Sequence, residues 1–201
     1  MNSTKIQFSR EEMILAANAE WILTKNTIIR KVQELFGVVL EKIVARVKDS
    51  NLPPEVKETN PKISKGENYL GLPYVMLDYP RLFKKEETFA IRIMFWWAHY
   101  FTVTLHLKGA CKDEFLPRIL KNLPLLTENN FYLGISQDEW IHALEEKAYV
   151  PFREMRALDI SERLKDQEFL KITAKLRLDE ANEAEEKLVG LVQKIWMALE
   201  I

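Results

Sequence analysis

The chain has 201 residues, 47% of them hydrophobic and 29% charged, with 29 Lys and Arg against 30 Asp and Glu. That balance excludes a disordered or low-complexity protein, which buries too little apolar surface to fold. A net charge of −1 supplies no field to recruit nucleic acid or an anionic membrane, so neither partner is expected. At this length a core forms without a disulfide or metal staple, and a single domain over 1–201 is expected.

Ser9 and Glu12 have the spacing of a capping box, in which each side chain meets the other residue's backbone N–H, so a helix is expected from there to about Ile22. Over Thr27 to Asp49, the residues Ile28, Val32, Leu35, Val39, Ile43 and Val47 recur at steps of four and three, the period of one helical face. Thr24, Asn26 and Thr27 are weak helix formers between them, yet no Gly or Pro forces a break. The two helices over 9–50 are read as a hairpin, with one long bent helix as the alternative. Pro53-Pro54 ends this region, and the polar stretch 51–71 is expected to be a long surface connection.

Period two begins near Leu72. Tyr74 to Leu77 reads as a short strand closed at Asp78-Tyr79-Pro80, because Pro80 lacks a ladder donor. Phe89 to Trp96 and Tyr100 to Lys108 are rich in β-branched and aromatic residues and pair around Trp97-Ala98-His99. In that register Ile91, Ile93 and Phe95 lie opposite Leu105, Val103 and Phe101, an apolar face. Although Phe89 to Leu107 nears the length of a membrane span, Arg92, His99 and His106 argue for sheet.

A short helix is expected at Pro117 to Lys121, since proline is tolerated in a first turn. Phe131 to Ile135 reads as a strand. Ser136 and Glu139 repeat the capping-box spacing, predicting a helix with Trp140, Ile141, Leu144 and Ala148 inward. Pro151 marks an edge or a loop. In Phe169 to Leu178, apolar residues alternate with Lys171, Thr173, Lys175 and Arg177, the pattern of a strand with those four facing solvent. A last helix, about Glu180 to Leu199, turns Ala184, Leu188, Leu191 and Ile195 to one side. Helices and consecutive strands without a βαβ rhythm define an α+β fold, a mainly antiparallel sheet with the amino-terminal helices and a carboxy-terminal helix packed on it.

With a lone Cys111 and an amino terminus without an apolar run, a cytoplasmic location is expected. No nucleotide-binding, nucleophile-elbow or zinc-protease motif occurs, and no cofactor is expected. His99, His106, His142 and Cys111 match no common metal spacing, so no metal is expected. The strongest candidate site is the other hairpin face. There Arg92, Thr102, Thr104 and His106 sit among Met94, Trp96 and Tyr100, with Tyr79 and Arg81 nearby. An anion-binding fork with hydroxyls and aromatic walls suits a small anionic or polar ligand. The alternative is a structural or interaction module whose apolar helix faces meet a second copy or a partner. A third reading is an enzyme with His106 as acid or base, assisted by Asp78 or Glu67.

Overall fold

The computed structural model describes residues 6–145 and 147–201. The capping box at Ser9 is present, with Glu12 N–H donating to Ser9 Oγ at 3.1 Å and Ser9 N–H to Glu12 Oε2 at 2.6 Å. It starts α1 (Arg10–Ala17). Asn18 leaves helical geometry and caps α2 (Ala19–Asp49), accepting from Trp21 N–H at 3.1 Å. The interruption therefore falls at Asn18 and not at Thr24 to Thr27, and α2 runs unbroken for 31 residues. Since α1 buries none of its residues, the two helices do not pack against each other as a hairpin.

The stretch expected to be a connection holds α3 (Pro54–Lys57) and strand β1 (Lys62–Tyr69), paired antiparallel with β2 (Leu72–Phe83). Its Lys, Glu and Asn content resembles that of a loop because β1 is an edge strand, where charge blocks further pairing. Nor does β2 stop at Pro80. The register against β3 (Thr88–Trp96) shifts between Asp78 and Arg81, so Pro80 sits in a bulge that asks no ladder hydrogen bond of it.

Strand β3 pairs β4 (Tyr100–Lys108) in the expected register, Ile91 opposite Leu105, Ile93 opposite Val103 and Phe95 opposite Phe101. Gly109, at φ +59°, ends β4, where a Cβ would run into the Glu86 carbonyl oxygen. Next comes α4 (Ala110–Lys121), with Pro117 in its interior rather than its first turn. Cys111, Phe115 and Ile119, one turn apart, anchor the helix in the core, while Pro117 and Asp113 are exposed, so water can satisfy the carbonyl that loses its donor.

After α5 (Leu123–Glu128) come β5 (Tyr132–Gly134), β6 (Tyr149–Pro151), α6 (Ala157–Asp166), β7 (Phe169–Arg177) and α7 (Ala184–Leu199). α6 has no counterpart among the expected elements. The helix predicted after Ser136 is absent. Ser136 Oγ accepts from Asp138 N–H at 3.0 Å and Asp138 Oδ1 from Trp140 N–H at 2.8 Å, two consecutive turns that use the would-be capping groups locally.

All pairings are antiparallel, in the order β1-β2-β3-β4-β7-β5-β6, so the α+β class holds. α2, α4 and α7 pack on one sheet face, where Phe36, Val39, Ile43, Phe115, Leu188 and Val192 meet Leu77, Ile91, Val103 and Ile172. Lys171 and Thr173, expected in solvent, are 2% and 0% exposed, because the opposite face of β7 is covered as well. Only Lys175 and Arg177 of that row are exposed.

Candidate functional site

β3, β4 and β7 bring a polar set to the sheet face away from the helices. Register places Arg92 opposite Thr104 and Asp78, Thr104 opposite Thr173, and His106 opposite Lys171. The irregular segment 135–145 lies over it. Tyr69 Oη accepts from His142 and Ala143 N–H at 2.7 and 2.9 Å, and Tyr100 Oη from Leu144 N–H at 2.7 Å. From below, Lys171 Nζ donates to the Glu139 and Ile141 carbonyls at 3.0 and 2.5 Å. Trp140 adds an aromatic wall against Phe83 and His106.

Inside this cover Arg92 grips Asp78 with both arms of its fork, at 2.6 and 3.0 Å. Arg92 also meets His142 Nε2 at 2.9 Å, and as a donor-only group it makes that nitrogen the acceptor, leaving the ring proton on Nδ1. Burial first, then Lys171 and Arg92, pushes His142 down to about 2. Burial, followed by the charges of Lys171, Arg92 and Lys108, pushes His106 down to about 3. The His106 Nε2 lies 3.0 Å from Glu139 Oε2 yet makes no well-aligned hydrogen bond. Lys171 is pushed down to about 7, chiefly by burial and then by Arg92. A neutral amine still has two N–H bonds, matching its two carbonyl acceptors.

Of the expected site residues, Arg92, Thr102, Thr104, His106, Trp96 and Tyr100 share this face. Tyr79 does not; it points into the main core. Arg81 lies beyond the bulge, its N–H donating to Thr59 Oγ1 at 3.1 Å. Asp78 is taken by Arg92, and Glu67 pairs with Lys25 at 2.5 Å, so the carboxylate beside His106 is Glu139 instead. Sequence patterning does not assign Glu139, His142, Lys171 or Thr173 to this face. The row of Lys171 and Thr173 was visible in the alternation, but nothing local says that it faces the hairpin's polar side. Cys111 donates to Glu87 at 3.4 Å and is pushed up to about 12 by burial and then by that carboxylate, so its thiol stays protonated and is no nucleophile. Among the described residues no group of three or more His, Cys, Asp or Glu could hold a metal ion, and no helix is long and apolar enough to cross a membrane.

This network makes stability depend on pH in a set direction. Both histidines stay neutral in the fold, while in the unfolded chain they protonate below about 6.5. The histidines' contribution to stability is therefore full above that pH and falls as pH drops toward 3, by up to about 1.4 kcal/mol per pH unit for each ring. Urea denaturation at pH 7, 6 and 5 should show the midpoint falling, and His142→Gln should flatten the slope. An unchanged midpoint across this range would mean that the rings are hydrated.

A second feature lies on the amino-terminal helices. α1, the residues just before it and the first turns of α2 leave Ile6, Phe8, Met13, Ile14, Leu15, Trp21, Ile22, Leu23 and Ile28 between 36% and 86% exposed. At the arm's root is a groove of about 650 Å³, walled by Ile28, Leu35, Phe95, Trp97, Phe101 and Leu178. Trp21, Ile28 and Trp97 also border an adjoining hollow of about 300 Å³. Trp21, Ile28 and Leu35 are seven residues apart, so one stripe of α2 runs from the open arm into the groove.

No protein-family model, curated protein or solved structure matches this chain.

Proposed function

We propose that this protein is an interaction module that binds an apolar helix through its amino-terminal arm and the groove at the arm's root. The observation that carries this is the size of the uncovered surface. At roughly 200 Å² for a large side chain, the fractional exposures of the nine arm residues amount to about 1,000 Å², well above the roughly 300–600 Å² of the largest patch on a typical monomer. An isolated helix of eight residues is marginal in water, so α1 gains from any surface that packs against it. The polar face is a weaker basis for function. Arg92's fork is filled by Asp78, and a small anion would have to displace that carboxylate and lift the segment 135–145.

The test is association in solution. Light scattering of the full chain should give a mass above that of one chain, rising with concentration, and Ile14→Glu with Leu23→Glu should return it to one chain. Because both residues are exposed, the double variant should keep the wild-type denaturation midpoint. If its mass equals that of the wild type at every concentration, the arm does not mediate association and the reading fails.

A further inference from the structure

Resting on that reading, we infer that the helix received by the groove is the arm of a second copy of this chain, the two arms crossing antiparallel about a two-fold axis near Trp21. The same chain carries both halves of the contact, which is the condition for an isologous interface. Its dimensions agree. From Trp21 to Leu35 the helix runs about 20 Å at 1.5 Å per residue, and the arm from Trp21 back to Phe8 has nearly the same number of residues to lay along it. An antiparallel pair centred on Trp21 sets Ile14 at the level of Ile28, apolar beside apolar, and brings Phe8 to the level of Glu34, one residue short of Leu35.

Charge agrees independently. That register sets Glu11 at the level of Lys31. Lys31 borders the groove, is exposed, and has no ion-pair partner among the described residues. A parallel pairing would instead align like charges. The area is also sufficient. Two arms at about 1,000 Å² each reach the roughly 1,200–2,000 Å² of total buried surface typical of stable complexes.

Cysteine cross-linking tests the geometry. An equimolar mixture of Ile14→Cys and Ile28→Cys chains, treated with a mild oxidant, should give a disulfide-linked dimer, and either chain alone should not. Wild type is the control, because Cys111 is buried. Cross-linking of each variant by itself would establish a parallel arrangement and overturn the inference while leaving arm-mediated association intact. Charge exchange provides a second measurement that does not depend on cysteine chemistry. Glu11→Lys should weaken self-association about tenfold, and adding Lys31→Glu to the same chain should restore it. If the double variant is as weak as the single, the register is wrong. If light scattering shows arm-independent association, or none, the failure lies in the interaction reading itself.

Discussion

Asp78→Ala is expected to lower stability by about 3–5 kcal/mol, the cost of leaving a buried charge without its partner. The side chains of Asp78 and Arg92 are 8% and 13% exposed, so little water can replace the lost carboxylate. The guanidinium would keep only His142 Nε2, a neutral acceptor held by the covering segment. Replacing both partners by apolar residues of similar size, Asp78→Leu with Arg92→Met, should recover most of the loss, because a buried ion pair repays little more than its own desolvation. Chemical denaturation of the single and double variants measures this directly. A single-variant loss under about 1 kcal/mol would mean that water reaches the pair and that the segment 135–145 does not seal this face.

Two neighbouring substitutions in β7 should have similar, large effects for different reasons. Ile172→Asp puts an unpaired carboxylate among Leu105, Leu133 and the helices, at a cost on the order of 3 kcal/mol or more. By strand alternation alone, Lys171→Asp would fall on an outer face and change stability by no more than about 0.5 kcal/mol. The structure reverses that expectation. Lys171 is as buried as Ile172, and its amine satisfies the Glu139 and Ile141 carbonyls, which the shorter aspartate cannot reach. The Glu139 carbonyl loses its donor, the Ile141 carbonyl keeps only the Tyr149 hydroxyl at 2.8 Å, and a carboxylate is placed at a position 2% exposed, so a loss of at least about 2 kcal/mol is expected. Lys171→Met, which keeps the apolar stem, should lose less than Lys171→Asp. If Lys171→Asp is neutral by urea denaturation, the cover over this face is open in solution.

The two capping-box patterns show where local reading holds and where it stops. Ser9 and Glu12 close a box because nothing else claims Glu12, which is solvated at the start of an exposed helix. Ser136 and Glu139 have identical spacing, yet Glu139 lies beside His106 and Lys108, and its carbonyl holds Lys171. Once those long-range partners engage the segment, the serine and aspartate side chains form turns. Pro80 and Pro117 follow the same logic. Local reading makes Pro80 the end of a strand and Pro117 the start of a helix, yet both lie inside their elements, each tolerated because a bulge or water removes the need for the missing donor.

Interactions between near neighbours were determined by the sequence alone. The β3–β4 register follows from two runs of alternating β-branched and aromatic residues joined by three, and the three-four spacing of α2 picks out Val32, Val39, Ile43 and Val47 of its inward face, where Ile29 and Phe36 are buried in place of Ile28 and Leu35. Alternation states which residues share a face. It cannot state what covers that face, because the cover comes from elements distant in the chain. That Lys171 faces Ile141, that Glu139 stands beside His106, and that α1 is left without a neighbour are all consequences of tertiary packing. Solvent exposure belongs to a surface and its cover together, so only the assembled fold separates the sealed polar face from the open apolar arm.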